Sequence, residues 1–202
     1  MAVYTVGRFQ PPTIGHELLI RKVMEMGGDP FVFVSSVTTP KDQNPLTAGQ
    51  KIAALSAMFP AGVTFVDTAV CAPRCAGPVA ANDYLRSLGY TDITLVAGSD
   101  RAATFGPDAG MWKAGIKNGV PAPKFVGLER TEGMGATSMS GTKARALARA
   151  GNYEEFKRAV QVGSIDDASI RALYDAIRTR RGGTRRRKLR RRLTRNKASG
   201  KA

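Results

Sequence analysis

Short apolar runs that alternate with amphipathic segments constrain the fold of this chain more than any other feature. There are five such runs, at residues 2–7, 31–35, 63–66, 92–97 and 124–128. A run that is apolar on both faces is typical of a parallel strand, because helices cover both sides of a parallel sheet. The alternation therefore predicts an α/β fold, a Rossmann-like doubly wound parallel sheet of about five strands.

The segments between the runs have the periodicity of helices. We expect helices at residues 15–26, 48–59 and 78–88, followed by C-terminal helices at 141–150, 153–160 and 166–178. Thr47 is a good N-cap for the second of these, in which Ser56 falls on the apolar side. The expected core side of the first helix consists of Leu18, Leu19, Val23 and Met26. In the last helix, positions i, i+3, i+4 and i+7 give one packed face, formed by Ile170, Leu173, Tyr174 and Ile177.

Three loops of the predicted sheet carry polar and glycine residues suited to a nucleotide. Ligands of an open parallel sheet bind beyond the carboxyl ends of its strands, so the loops after the first, fourth and fifth strands should meet in one crevice. Their candidate residues are Gly7, Arg8, Phe9, Thr13, Gly15 and His16, then Gly98 and Asp100, then Ser140, Gly141, Thr142, Lys143 and Arg145.

The single histidine, His16, lies where a helix is predicted to begin, and the dipole of a helix N-terminus favours an anion. Gly15 lets the backbone come close to such an anion. Ser140 or Thr142 can cap the helix that begins near residue 141, and Arg145 can reach the same anion one turn later. Each part also has an ordinary interpretation, since a lone histidine is more often structural and residues 140–142 fit a plain helix cap.

Four ordered segments resemble one known family. Thr-Ile-Gly-His at residues 13–16, after Gly-Arg-Phe-Gln-Pro at 7–11, resembles the (His/Thr)-x-Gly-His signature of the nucleotidylyltransferase superfamily. Met-Ser-Gly-Thr-Lys-Ala-Arg at 139–145 resembles its second signature, Ile-Ser-Ser-Thr-x-x-Arg. Residues 44–49 are similar to the Asn-Pro-Phe-Thr-Ala-Gly segment of archaeal nicotinamide mononucleotide adenylyltransferases, and residues 98–100 resemble their Gly-x-Asp.

The resemblance covers roughly residues 1–178 and is nearest in character to the stand-alone nucleotidyltransferases of tailed bacteriophages and some large DNA viruses. Two positions depart from the family pattern. Gly141 stands where the second signature has its second serine, which removes one hydroxyl but keeps the backbone amide. Thr13 stands where the stricter adenylyltransferase pattern has its first histidine. These departures bear on the substrate more than on the reaction.

The resemblance implies transfer of a nucleoside monophosphate from a nucleoside triphosphate to a phosphorylated acceptor, with release of pyrophosphate. His16 would donate to an α-phosphate oxygen beside Thr13, while Arg8, Thr142 and Arg145 hold the triphosphate. Gly98 and Asp100 would meet the base and ribose. Mg²⁺ would arrive with the nucleotide, since no carboxylate cluster for a protein-held metal is visible in the sequence.

Adenylyl transfer to nicotinamide mononucleotide, or to a similar acceptor, is the reaction that the resemblance favours. A cytidylyltransferase acting on a phospho-alcohol is the enzymatic alternative, because the same two signatures serve both. A third interpretation is a non-catalytic nucleotide-binding fold that serves as a nucleic-acid-associated or virion protein. The sequence leaves the acceptor, the choice between ATP and CTP, and the oligomeric state open, a homo-oligomer included.

The positive charge is concentrated at one end of the chain. Residues 1–177 contain 18 Lys/Arg and 16 Asp/Glu, a net charge of +2, whereas residues 178–202 contain 13 Lys/Arg and no acid, a net charge of +13. We therefore expect a nucleotidyltransferase domain at 1–178 and a basic, disordered tail at 179–202. Binding of nucleic acid without base specificity is the favoured role of the tail, against an anionic membrane surface or a solubilising extension. Its candidate residues are Arg185, Arg186, Arg187, Lys188, Arg190, Arg191 and Arg192.

The remaining features point to a cytoplasmic protein. If the protein is viral, we expect it in the host cytoplasm or in association with the virion. Cys71 and Cys75 lack a second Cys/His pair for zinc, and no secretory signal is evident, so we expect reduced thiols. No apolar run approaches the roughly 20 residues of a membrane span. For Trp112, burial in a helix contact is favoured over stacking on a base.

Overall fold

Five parallel strands form a single sheet in the order β3-β2-β1-β4-β5. The computed structural model describes residues 1–69, 77–117, 119–129 and 139–179. The strands are β1 (Ala2–Gly7), β2 (Asp29–Val34), β3 (Thr64–Asp67), β4 (Ile93–Gly98) and β5 (Lys124–Leu128). Strands β2 and β4 flank β1, so the order reverses there and the carboxyl ends of the three strands adjoin. The predicted Rossmann-like fold is confirmed.

Helices cover both faces of this sheet. They are α1 (Ile14–Glu25), α2 (Ala48–Met58), α3 (Pro78–Ser87), α4 (Ala102–Phe105), α5 (Lys113–Lys117), α6 (Gly141–Ala150), α7 (Tyr153–Val160) and α8 (Asp167–Thr179). Helices α1, α2 and α6 to α8 share the core on one face, and α3 packs on the other face with the segment that contains Trp112. Trp112 is buried, and its indole Nε1 donates to the carbonyl oxygen of Gly106 at 2.9 Å.

The alternation of side chains along β2 shows how the two cores are built. Val32 and Val34 belong to the core beneath α2, whereas Phe31 and Phe33 belong to the core beneath α3. Burial of each such side chain contributes roughly 1.5–3 kcal/mol. Both faces of the strand are therefore apolar because both are covered, which is the reason for the apolar run in the sequence.

The predicted faces of two helices need correction, whereas that of α8 is confirmed. Leu18 is 44% exposed and Ile20 is fully buried, so the core side of α1 is centred on Ile20 and Val23. Helix α1 packs on β1, β2 and β4, and Leu19 and Met26 pack beside Val23, so Leu18 is the one residue of the predicted side that is wrong. In α2, Ser56 is exposed and Ala54 takes the inward position. In α8, the four expected apolar residues are all buried.

Two sequence predictions fall outside the described residues. Cys71 and Cys75 lie in the segment 70–76, and the basic residues of the expected tail lie beyond Thr179. The boundary between a domain at 1–178 and a tail at 179–202 therefore stays a prediction. Across the described ranges, no helix is both long enough and apolar enough to span a membrane.

Candidate active site

The loop after β1 is shaped by a close contact between Gly7 and Phe9. Phe9 has a positive φ of 46°, and its side chain is 1% exposed. A Cβ atom on Gly7 would lie 2.6 Å from Cε2 of the Phe9 ring, so this position requires glycine. The Phe9 ring in turn contacts the imidazole of His16, with the ring centroids 5.0 Å apart. Gly7 and Phe9 thus help to position His16, and their predicted contact with the nucleotide stays a prediction.

Thr13 and His16 form the capping arrangement at the start of α1. The backbone N–H of Thr13 donates to Nδ1 of His16 at 3.1 Å. Because a backbone N–H can only donate, Nδ1 is the acceptor and the ring proton resides on Nε2. This contact favours the tautomer of His16 that carries its proton on Nε2. The result is an Nε2–H donor beside a helix N-terminus, where an anion is favoured.

Thr13 also joins the first sequence motif to the second. Its hydroxyl Oγ1 lies 2.9 Å from Nδ1 of His16 and donates to the carbonyl oxygen of Met139, also at 2.9 Å. Thr13 is 1% exposed, which protects this contact from water.

Arg145 makes a second connection between the motifs. Its Nη1 donates to the backbone carbonyl oxygen of Gln10 at 2.5 Å, and its Nη2 donates to Oγ1 of Thr142 at 3.1 Å. These bonds hold the guanidinium against the loop that follows β1. The Nε of Arg145 is buried and has no hydrogen-bond partner among the described residues. The first and second motifs, expected to meet in one crevice, are therefore in direct contact.

Gly141 allows the N-terminus of α6 to approach the first loop. A Cβ at this position would lie 2.7 Å from the carbonyl oxygen of Gln10 and 3.1 Å from its carbonyl carbon. The glycine that replaces the family's serine thus has a steric cause, because both neighbouring atoms belong to the backbone. Ser140, the residue before it, caps α6 by accepting from the backbone N–H of Lys143 at 3.3 Å.

Gln10 is a central residue of the site that sequence reasoning left without a role. Its side-chain amide forms a reciprocal pair with the backbone of Leu46, with N···O distances of 2.8 and 3.0 Å. The residue is 4% exposed. Gln10 therefore fixes the segment 44–49, which resembles the adenylyltransferase sequence, to the same loop that receives Arg145. The only sign of this role in the sequence is a polar residue within the motif. Its partners are backbone atoms, which leave no pattern in the sequence.

Positive charge gathers at this part of the cleft. Arg8 is exposed, whereas Arg145 is half-buried. Burial lowers the pKa of the Arg145 guanidinium, and the nearby charges of Arg149 and Arg8 lower it further, while Asp42 opposes them. An arginine remains charged under these conditions, so the cluster presents several cations to a ligand. Phosphate oxygens are the groups that such a cluster favours.

Lys51 is a second residue that the sequence did not single out. It is fully buried in α2, and its Nζ donates to the carbonyl oxygen of Ser35, just beyond the end of β2. Burial lowers its pKa to about 8, and the charge of Asp67 acts in the opposite direction. Lys51 therefore ties α2 to the carboxyl edge of the sheet, although a lysine in an amphipathic helix is ordinarily exposed.

Gly98 and Asp100 lie at the same edge of the sheet as the two motifs. Gly98 is the last residue of β4, which adjoins β1, and Asp100 lies in the 3₁₀ turn Ser99–Arg101 that follows. The carboxylate of Asp100 is exposed and lies 3.6 Å from Nε of Arg101. The turn rests on β5, since a Cβ on Gly127 would lie 3.3 Å from Cα of Ser99. These residues therefore lie at the carboxyl edge of the sheet on the β4 side of the two motifs.

Within the described ranges, no group of three or more His, Cys, Asp or Glu side chains could hold a metal ion. The polar groups at the cleft are instead arginines, hydroxyls, one imidazole and the amides of two helix N-termini. Such groups complement the oxygens of a triphosphate.

The sequence matches the Cytidylyltransferase-like family over residues 4–147, and the chain belongs to this family. Its class is therefore that of the nucleotidyltransferases, and the chain is a nucleotidyltransferase enzyme. No curated protein sequence matches it significantly.

Solved structures share its fold. A protein of Vibrio parahaemolyticus assigned as a nicotinate-nucleotide adenylyltransferase is 16% identical, with a TM-score of 0.55 over 86% of this chain and 99% of that one. The nicotinic acid mononucleotide adenylyltransferase of Plasmodium falciparum was solved with APC and with NaAD. These two structures are 14% and 15% identical, with TM-scores of 0.54 over 86% of this chain and 96% and 97% of theirs. The predicted likeness to archaeal and viral enzymes stays a prediction.

Proposed function

We propose that this nucleotidyltransferase transfers an adenylyl group from ATP to nicotinamide mononucleotide or to a similar phosphorylated acceptor. The observation that carries the proposal is the joint between the two motifs, in which Thr13 holds His16 and Met139 while Arg145 holds Gln10. The similarity of residues 44–49 to the adenylyltransferase segment supports the choice of acceptor. So do the names of the solved relatives, which are adenylyltransferases of pyridine mononucleotides.

In the proposed reaction, a phosphate oxygen of the acceptor attacks the α-phosphorus of the nucleotide. A new P–O bond forms while the bond from the α-phosphorus to the bridging oxygen of the β-phosphate breaks, and pyrophosphate leaves. The protein needs to supply in-line placement and stabilisation of the charge on the α-phosphoryl oxygens. The Nε2–H of His16 donates to one of these oxygens, and Thr13 fixes the imidazole for that purpose.

The arginine cluster and the start of α6 hold the leaving pyrophosphate. Arg8 and Arg145 bind the β- and γ-phosphates, with Thr142 and the backbone amides of Ser140 and Gly141 beside them. Gly98 and Asp100 meet the base and the ribose. Mg²⁺ arrives as part of the nucleotide substrate and supplies charge neutralisation on the triphosphate.

A cytidylyltransferase that acts on a phospho-alcohol is the second candidate. The matched family, described as Cytidylyltransferase-like, is the observation in its favour. The departures at Thr13 and Gly141 bear on this choice, since both change side chains beside the nucleotide. A non-catalytic nucleotide-binding protein is disfavoured, because His16, Thr142 and Arg145 are all retained.

Pyrophosphate release measured with four nucleoside triphosphates and two classes of acceptor tests the proposal. One class consists of nicotinamide and nicotinic acid mononucleotides, and the other of phosphocholine and glycerol 3-phosphate. We expect release with ATP and a pyridine mononucleotide. Release with CTP and a phospho-alcohol alone would favour the second candidate, and the absence of release with every pair would contradict both.

A further inference from the structure

The guanidinium of Arg145 has only part of its donors available to a ligand. A guanidinium carries one N–H on Nε and two on each Nη. In Arg145, one N–H of Nη1 donates to the carbonyl oxygen of Gln10, and one N–H of Nη2 donates to Oγ1 of Thr142. The Nε is buried. Within the described part of the chain, one N–H on each Nη is therefore left, and two such donors suit a pair of phosphate oxygens.

The direction of these two donors depends on where the Gln10 carbonyl lies. An arginine side chain rotates about several single bonds, but its guanidinium is planar and rigid, so a hydrogen bond at one Nη restricts the orientation of the whole group. The Gln10 carbonyl oxygen has little room to move toward α6, since a Cβ on Gly141 would lie only 2.7 Å from it. The side chain of Gln10 provides a second restraint on the same carbonyl.

This second restraint is the pair of hydrogen bonds between the Gln10 amide and the backbone of Leu46. Nε2 of Gln10 donates to the Leu46 carbonyl oxygen at 2.8 Å, and Oε1 accepts from the Leu46 N–H at 3.0 Å. Gln10 is 4% exposed and Leu46 is fully buried, so water does not compete for these bonds. Leu46 packs in the core beneath α2 and precedes Thr47, the N-cap of that helix. The amide of Gln10 thus connects its own carbonyl to the start of α2.

We infer that Gln10 is a positioning residue for phosphate binding, whose side-chain amide sets the orientation of the Arg145 guanidinium through the Gln10 carbonyl. Its amide is bonded to Leu46, so it acts through the backbone and not by contact with a substrate. Because Arg145 holds phosphate in the proposed function, this role of Gln10 rests on that function. A glutamine that served stability alone would affect phosphate binding to the same extent whether or not Arg145 were present.

Titration of the full-length chain with inorganic pyrophosphate, followed by ³¹P NMR so that weak binding is also measured, tests this role. The variants are Gln10→Met, Arg145→Ala and the two combined. Methionine has the length of glutamine but bonds neither backbone group of Leu46, so Gln10→Met should raise the Kd for pyrophosphate roughly fivefold, the scale of one lost hydrogen bond. In the Arg145→Ala background, the same substitution should leave the Kd unchanged, because the group that Gln10 orients is absent.

Gln50→Met is the matched control, because Gln50 is exposed and its Oε1 accepts from the backbone N–H of Thr47, next to Leu46, at 2.9 Å. This variant removes a glutamine bond from the same segment, leaves the pair between Gln10 and Leu46 in place, and should bind pyrophosphate as the wild type does. If Gln10→Met does not fold, Gln10→Asn replaces it, since asparagine keeps the amide but is one methylene too short for both bonds. The same dependence on Arg145 is expected.

An equal rise in Kd in both backgrounds would overturn the role of Gln10, as would an unchanged Kd in the Gln10 variant or an equal rise in Gln50→Met. A wild type that does not bind pyrophosphate would overturn it as well. Pyrophosphate release separates this role from the proposed function. A wild type that shows the expected binding results but releases no pyrophosphate with any substrate pair contradicts the proposed function alone.

Discussion

The hydroxyl of Thr13 donates to the carbonyl oxygen of Met139 at 2.9 Å and so joins two motifs that are 126 residues apart. The same hydroxyl lies 2.9 Å from Nδ1 of His16. One side chain therefore positions both the imidazole and the residue that precedes the cap of α6. In the family pattern a histidine can occupy this position, and here the threonine hydroxyl performs the joining role.

Replacement of this hydroxyl should weaken the joint and leave the His16 half of the capping box in place. In Thr13→Val, the backbone N–H still donates to His16, but the bond to Met139 is lost. A hydrogen bond of this kind is worth about 1 kcal/mol, so we expect kcat/KM for pyrophosphate release to fall roughly fivefold. Thr13→Ser keeps the hydroxyl and serves as the control. Equal activity of the valine and serine variants would show that the joint has no role in turnover.

Restoration of the family's serine at Gly141 should destabilise the protein. The new Cβ would lie 2.7 Å from a backbone oxygen of Gln10, which has no room to move in a buried loop. Overpacking of this kind typically costs 1–3 kcal/mol, so we expect the free energy of unfolding to fall by about 2 kcal/mol. Urea denaturation of Gly141→Ser measures the cost. The control is Gly49→Ser in α2, where nothing lies within 4 Å of the added atom; a similar loss in both variants would contradict the steric explanation.

Lys51 should give the folded protein a distinctive dependence of stability on pH. Its folded-state pKa is about 8, below the ordinary value of 10.5. Between these values the unfolded chain binds more protons than the folded one, so the free energy of unfolding rises with pH. The cost of burying the charge is fully present below pH 8 and is relieved as the pH rises toward 10.5, by up to about 1.4 kcal/mol per pH unit.

The measurement is urea denaturation of the wild type and of Lys51→Met at several pH values from 7 to 10. Methionine has a similar length and no charge, so the variant should lack the rise that Lys51 causes. Other groups that titrate in this range are present in both proteins and cancel in the difference. Parallel pH profiles for the two proteins would refute the assignment.

The sheet and its helices could be predicted because their physical cause is local. Strands buried on both faces leave apolar runs such as residues 31–35, and helices leave a periodic pattern. Which side of a helix faces the core depends less on the local sequence and more on how the helix packs. Leu18 and Ile20 are both apolar, and only the packing of α1 on the sheet decides that Ile20 is the buried one.

The candidate site could be predicted as a set of positions but not as a set of contacts. The motif residues were identifiable by resemblance, and the fold brings His16 and Arg145 to one cleft. Gln10 acts through backbone atoms of Leu46 and through its own carbonyl, and such atoms are common to every residue type. The need for glycine at position 141 depends on how closely two distant segments approach, which no local pattern records.

The proposed action of His16 on the α-phosphate is tested by pyrophosphate release by the variant His16→Ala. The variant should retain its fold, and Arg21→Ala, on the exposed side of the same helix, is the matched control. With ATP and the best acceptor, we predict a fall in kcat of roughly 10²–10³, the scale for one lost donor to a transition state, and near-normal turnover in the control. Near-normal pyrophosphate release by His16→Ala would show that His16 does not act on the α-phosphate.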